Sequence, residues 1–382
     1  MRRPIILGGN PYISNYYKKS ACELLAATGG NTGNLAFQYA VATHLAGAVP
    51  ILSLDAPIKE IRAAGDIIVL PLANQLGKHT DLTDMASRLE EINLPIVGVG
   101  LGAQAKSSDI DVELTRGTER WLRTVVRLAP SAAPNLGVRG PYTKAQIERF
   151  DLPNAAVVTG CPSNFINMGD DIATQIAAGF NRRPTLIAAT AGIPYIPVLA
   201  HIEQSLVALV TQAGGAYIVQ HGLEMLQLAR REFEQMAPAI LETCRSYIAP
   251  QINLEGFKTW CRRHAFTFLD VRSWMDFLGR FDFVVGTRVH GAILALQAGV
   301  PAACIAHDSR TLELCKTMGV PVRHYTEIDV LTRDNLFDYF SFDRERFTET
   351  RRMLLDNYLS IYRSAGIEVR AELSLALGSS AN

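Results

Sequence analysis

Phe281-Asp-Phe-Val-Val-Gly286-Thr-Arg288-Val-His290-Gly-Ala-Ile-Leu-Ala-Leu-Gln-Ala-Gly299-Val-Pro301 sets the fold class of this chain. A short apolar, β-branched run ends at Gly286. A cation and a titratable ring follow at once, and then an apolar pattern at helical spacing begins. Such a junction belongs to an open α/β sheet, in which ligands bind outside the carboxyl ends of the strands. The first-turn N–H groups of the helix lack intrahelical partners and favour an anion. Arg288, His290 and a helix N-terminus therefore meet at one point, which suggests an anionic substrate and proton transfer.

The same alternation extends outward in both directions. Strands are expected at Pro4–Leu7, Ile67–Leu72, Pro95–Val97, Leu136–Arg139 and Ala156–Thr159. In the second half they are expected at Thr185–Ala189, Ala216–Gln220, Phe266–Leu269, Phe283–Val285 and Ala302–Ile305. Several are continuous apolar runs, as parallel strands covered on both faces require. Glycine follows many of them in tight strand-to-helix turns. Alternation of this kind implies right-handed βαβ units in doubly wound sheets. The chain of 382 residues exceeds one ordinary hydrophobic core. The polar run Gly179-Phe-Asn-Arg-Arg-Pro184 is the natural boundary. The expectation is α/β, with one Rossmann-like domain over residues 1–180 and a second over 181–342. Residues 343–382 form a long amphipathic helix, from Asp343 to about Arg363, and a tail.

Composition narrows the function. Hydrophobic residues make up 48% and charged residues 19%, which fits a well-buried globular protein. The formal net charge is +0, so no basic excess exists to neutralise a nucleic-acid backbone. No apolar run reaches the ~18 residues of a membrane span, and the short run after Met1 reads as a first strand. A cytoplasmic location is expected. The six cysteines (Cys22, Cys161, Cys244, Cys261, Cys304, Cys315) are scattered and read as buried free thiols. The histidines show no metal-binding spacing, so no metal is expected.

Four constellations carry candidate chemistry. Gly29-Gly30-Asn31-Thr32-Gly33-Asn34 precedes a helical run. Its glycines let backbone approach a ligand, or it is a structural turn with Asn34 as helix cap. It fits neither the dinucleotide fingerprint nor the P-loop. Arg288 and His290 are the second, an imidazole being able to give and take a proton near neutral pH. His307-Asp308-Ser309-Arg310 is the third. Arg310 can clamp a carboxylate or phosphate. Asp308 can orient His290, position Arg310, accept a proton, or cap the helix beginning near Thr311. His307 reads as a structural neighbour. Arg139, in Gly137-Val-Arg139-Gly140-Pro141, is the fourth, an anion ligand or a turn arginine in an ion pair. Gly98 to Gln104, Gly160 to Asn164 and Gln220-His221-Gly222 also end strands and either line the cleft or, the reading favoured for each, serve packing.

The pattern resembles the polysaccharide pyruvyl transferase family. Arg288-Val-His290-Gly-Ala-Ile-Leu-Ala-Leu-Gln-Ala-Gly299-Val-Pro301 carries the resemblance, with Asp308-Ser309-Arg310, Leu314 and Met318-Gly319-Val-Pro321. Gly30-Asn31-Thr-Gly33-Asn34 resembles the family's Gly-Asn-x-Gly-Asp turn, and Arg139 its central strand-end arginine. Asn34 stands where the family usually has aspartate, and Arg310 where a lysine is common. Asn10 to Thr28 resembles an insertion, whose Tyr12, Tyr16 and Tyr17 stack on a sugar or simply pack.

The resemblance implies a GT-B-like pair of domains around a cleft. The N-terminal domain would be the acceptor side and the C-terminal domain the phosphoenolpyruvate side. It implies transfer of the enolpyruvyl unit of phosphoenolpyruvate to two hydroxyls of a sugar, giving a cyclic pyruvate ketal and phosphate. His290 would be the general acid with Asp308 as a second catalytic group. Arg139, Arg288, Arg310 and Ser309 would bind phosphoenolpyruvate, while Gly30, Asn31, Gly33 and Asn34 would form an acceptor or donor loop. No cofactor is implied beyond the donor itself. The acceptor would be a sugar, an oligosaccharide or a lipid-linked saccharide, the last bringing the protein to the inner face of the membrane. The competing functions are a GT-B glycosyltransferase using a nucleotide sugar and a non-catalytic sugar- or anion-binding homologue.

Overall fold

The computed structural model describes residues 1–105, 110–192 and 194–378. The apolar runs form two six-stranded sheets, each parallel throughout. The first contains β1 (Pro4–Leu7), β2 (Ile51–Leu52), β3 (Ile67–Pro71), β4 (Ile96–Leu101), β5 (Leu136–Val138) and β6 (Ala156–Val158), in the order β2-β1-β3-β4-β5-β6. The second contains β7 (Ile187–Thr190), β8 (Ala216–Ile218), β9 (Ala265–Phe266), β10 (Phe283–Gly286), β11 (Ala302–Ala306) and β12 (Val322–His324), in the order β12-β11-β10-β7-β8-β9. Every residue of β4, β7, β10 and β11 is buried, because helices cover both faces. The two doubly wound sheets give the GT-B-like arrangement.

Ten strands lie where the apolar runs place them, within a few residues. The two-residue edge strand β2 and the half-exposed β12 carry too little apolar signal to be read. The run Phe266–Leu269 pairs only at its start, since Asp270 already caps the helix Val271–Leu278 by accepting from Ser273 N–H at 2.8 Å.

Each sheet has a switch point where the winding reverses, and that is where a crevice opens. In the second sheet it lies between β7 and β10. Their carboxyl ends nearly touch: a Cβ on Gly286 would stand 2.2 Å from Thr190 O, and one on Gly291 2.3 Å from Thr190 Cγ2. These glycines let the helix Val289–Gln297 start directly over the crevice.

The long helix Arg344–Ser364 is capped by Asp343, whose Oδ1 accepts from Arg346 N–H at 3.0 Å, and a short helix, Ala371–Gly378, follows it. The long helix crosses back to pack on β4, β5 and β6 of the first sheet. Its Tyr358 hydroxyl meets His44 Nδ1 at 3.0 Å and Tyr362 at 2.9 Å, all buried. One core thus joins Ile6, Val69 and Val97 of the first sheet to Ala188 and Val284 of the second.

The insertion also bridges the halves. Ser20 and Glu23 form a reciprocal cap that starts the helix Ala21–Ala27. That helix packs on Leu223–Arg230 of the second half, and Ala21 N–H donates to Glu232 Oε2 at 3.2 Å. Tyr12, Tyr16 and Tyr17 stay exposed.

Candidate functional site

A cavity of about 110 Å³ lies between the carboxyl edges of the two sheets. Arg139, Arg288, His290 and Arg310 line it together with Asn31 and Asn34, residues that stand up to 279 positions apart in the chain. Strand-end turns deliver each of them: Arg139 follows β5, Arg288 and His290 follow β10, and Arg310 follows β11.

Arg139 is buried. Its Nε donates to Gly100 O at 2.9 Å, and its Nη2 has no partner. Burial pushes its pKa down, which is the cost of holding a cation in a dry site. Arg288 donates from Nε to Ala191 O at 3.3 Å. Burial lowers its pKa too, opposed by the nearby Glu203 carboxylate. Among the described residues neither arginine forms an ion pair. A buried guanidinium with an unused N–H is an anion site by its chemistry.

Arg310 differs. Its Nη2 pairs with Asp308 Oδ2 at 2.7 Å, and its Nη1 reaches Gln104 Oε1 at 3.3 Å. The other oxygen of Asp308 accepts from Thr311 N–H at 2.7 Å and caps the helix Ser309–Met318. Burial pushes the Asp308 carboxyl up, but Arg310, His307 and the Thr311 N–H outweigh it and hold it down to about 2. Asp308 therefore caps its helix and positions Arg310. Ser309 donates across the seam to Ala105 O at 3.4 Å, next to the binding residues.

His290 is 7% exposed. Its Nε2 lies 3.7 Å from Cys161 Sγ, which also meets Ser163 Oγ at 3.0 Å. Burial first, then Arg139 and Arg310, depress its pKa to about 3. The ring is therefore neutral near pH 7. His307 also lines the cavity; burial, Arg288 and Arg310 lower its pKa against the pull of Asp308.

The glycine turn closes the cavity from the first half. Asn31 Oδ1 accepts from Gly33 N–H at 2.8 Å. Gly30 has φ 81°, a left-handed conformation that glycine adopts without strain. Asn34 is not the helix cap. Gly33 occupies that position without any side-chain cap, while Asn34 Nδ2 donates to Thr28 O at 2.9 Å and so ties the turn shut. An aspartate cannot donate that bond, which gives the amide at this position its own structural reason.

Sequence reasoning missed Asn74 and Glu203. Asn74 lines the cavity with an unpartnered Oδ1, and only its place after β3, in Ala73-Asn74-Gln75, hints at it. Glu203 is buried in the helix Ala200–Ala213. It accepts from Tyr217 Oη at 2.6 Å, Gly192 N–H at 2.9 Å and Thr287 Oγ1 at 3.0 Å, beside Arg288. Nothing local in its sequence marks it.

A larger groove, about 670 Å³, opens beside Tyr39, Phe165, Met275 and Arg370. Its one arginine stands with Glu372 and Asp170, and none of the unpartnered buried atoms line it. The smaller cavity is the one that gathers buried cations, imidazoles and unpartnered polar atoms.

The family model for polysaccharide pyruvyl transferases matches residues 31–309. The chain belongs to that family. The match begins in the glycine turn at Asn31 and ends at Ser309, so it spans the strand ends that build the cavity. No curated protein sequence matches the chain. Among solved structures, the chain is similar to the S. aureus MnaA–UDP complex, with 12% identity, TM-score 0.44, and 100% and 95% of the two chains covered. The UDP-GlcNAc 2-epimerase from Neisseria meningitidis bound to UDP-GlcNAc gives 11% identity, TM-score 0.41 and coverage of 99% and 97%. The glycosyltransferase SnogD from Streptomyces nogalater gives 12%, 0.34, and 89% and 81%.

Proposed function

We propose that this pyruvyl transferase family member moves the enolpyruvyl unit of phosphoenolpyruvate onto two hydroxyls of a sugar in a polysaccharide or its precursor. The product is a cyclic pyruvate ketal, and phosphate leaves. The observation that carries the reading is the meeting of Arg139, Arg288, Arg310 and His290 on one small cavity, with a guanidinium N–H of Arg139 buried and unused. Phosphoenolpyruvate carries a phosphate and a carboxylate, so it needs several cations at short range. A volume of about 110 Å³ suits a small anion, whereas sites for larger ligands run to ~300–1,000 Å³.

The steps balance without a cofactor. His290, once protonated, gives its proton to the methylene carbon, which becomes the methyl group. Positive charge develops at C2, and the first sugar hydroxyl attacks there, losing a proton that restores His290. The C2–O bond to phosphate breaks with its electron pair. The second hydroxyl closes the ring, and its proton leaves with the phosphate. Proton transfer of this kind contributes ~10²–10⁴ in rate.

Thermal-shift titration tests the reading, because a ligand that binds only the folded state raises the melting temperature with concentration. Phosphoenolpyruvate should raise it, UDP- and GDP-sugars and NAD should not, and Arg139→Ala and Arg288→Ala should abolish the rise. A rise with a nucleotide sugar and none with phosphoenolpyruvate would replace this reading with glycosyl transfer.

A further inference from the structure

The cavity lining mixes cations with uncharged amides: Arg139, Arg288 and Arg310 share it with Asn31, Asn34, Asn74 and Gln220. Gln220 lies just past β8 and is 1% exposed, yet its Nε2 has no partner. A buried donor left unpaired costs ~1–3 kcal/mol. An unpaired donor on a cavity wall therefore marks a ligand contact.

The surroundings hold this amide in place. A Cβ on Gly33 would stand 2.6 Å from its Oε1, and a Cβ on Gly291 2.9 Å from its Nε2. Two glycines, one from each half of the chain, clear the space it occupies. Thr32 N–H donates to Gln220 O at 2.8 Å, and Asn31 bridges to His221, so the glycine turn is stitched over it. The Cβ position of Gly33 is also 3.2 Å from His290 Nδ1. Gln220 Oε1 and His290 Nδ1 thus both pack against the glycine turn at Gly33. Asn74 Oδ1 is a second unpartnered atom among the lining residues, this one an acceptor, and Asn74 Nδ2 donates to the same Gln104 Oε1 that Arg310 reaches.

A sugar hydroxyl both donates and accepts. Arginine offers donors alone, whereas amides offer both kinds. We propose that Gln220 and Asn74 form the subsite for the hydroxyl pair of the acceptor sugar and set the attacking oxygen beside His290. Gln220 Nε2 donates to a hydroxyl oxygen, and Asn74 Oδ1 accepts a hydroxyl proton. The inference rests on the pyruvyl-transfer reading, and it moves acceptor binding from the first half alone to the seam between the halves.

Gln220→Met, close in shape but without amide hydrogen bonds, tests it with phosphoenolpyruvate as donor and the methyl glycosides of glucose, galactose and mannose as acceptors. The KM for the best glycoside should rise about tenfold, the equivalent of ~1.4 kcal/mol. Donor affinity by calorimetry should stay within about twofold. Gly33→Ala, which crowds the amide instead of removing it, should raise the same KM. An unchanged acceptor KM in Gln220→Met, or an equal loss of donor affinity, overturns the subsite. So does the failure of all three glycosides to bind or react at tens of millimolar with donor bound. If the unsubstituted protein binds no phosphoenolpyruvate at all, the pyruvyl-transfer reading itself falls, and the subsite with it.

Discussion

With its pKa held far below neutrality, His290 can serve the proposed reaction as an acid only if the bound donor raises that pKa. Burial, Arg139 and Arg310 hold its pKa down to about 3. A unit negative charge ~4 Å away, at an effective dielectric of ~20, is worth about 4 kcal/mol. At ~1.36 kcal/mol per unit, that is about 3 pKa units. One net negative charge on the bound donor therefore lifts the imidazole to about 6, and neutralising Arg139 and Arg310 lifts it further. The assay is an NMR pH titration of ¹⁵N-histidine-labelled protein, with the His290 signal assigned by its loss in His290→Asn. Without donor, His290 should stay neutral down to pH 5. With phosphoenolpyruvate it should titrate near or above pH 6. Calorimetry in buffers of different ionisation enthalpy should show His290→Asn taking up less proton on donor binding than the unsubstituted protein at pH 6. In turnover, kcat should fall as pH rises through the bound-state pKa. A free-state midpoint near 6.5, or no shift with donor, refutes the argument that the substrate charges its own acid.

Two further predictions concern buried carboxylates, and one concerns a buried imidazole. Asp308→Ala should lose ~0.5–2 kcal/mol through its helix cap, whereas Asp308→Asn keeps an accepting oxygen and most of that stability. The Asn variant should also retain turnover within about tenfold; a loss of ~10²–10⁴ with the cap intact would instead assign Asp308 a proton-transfer role. Glu203→Ala should lose at least ~3 kcal/mol in urea denaturation, because Tyr217, Thr287 and Gly192 each lose an acceptor; a loss below ~1 kcal/mol refutes that role. His44, held to about 3 chiefly by burial, binds its proton far more readily unfolded than folded. Its stability contribution is therefore complete above the unfolded value of ~6.5 and drains away as pH falls, at ~1.36 kcal/mol per unit. His44→Gln should flatten stability against pH between 6.5 and 5 by about that slope, and an unchanged slope would contradict the burial argument.

Much of this was legible one junction at a time. The run ending at Gly286, with Arg288 and His290 behind it, marks a strand end because a short, β-branched apolar run closed by glycine and followed by a helical pattern reads as a strand-to-helix junction. Arg139 and Arg310 were found by the same rule. Asp308 was open among several roles, and the ion pair to Arg310 and the N–H of Thr311 decide what its two oxygens do. Asn34 is open in the sequence between a helix cap and a ligand-facing loop; it lines the cavity, and its amide turns back to Thr28 O, a loop contact with no sequence signature. Glu203 carries no signal of its own, because a carboxylate in the first turn of a helix reads as a surface residue facing the helix dipole until tertiary packing buries it.

The sequence by itself determined the alternation of strands and helices, the two parallel sheets, and which strand ends would carry cations. Those features are local, since burial on both faces and tight glycine turns leave their mark within a few residues. Tertiary structure alone decided that Arg139, Arg288, His290 and Arg310 share one cavity, that Gln220 and Asn74 line it too, and that the helix Arg344–Ser364 returns to the first sheet. Those features depend on contacts between residues tens to hundreds of positions apart, and on which polar atoms the packing leaves without a partner.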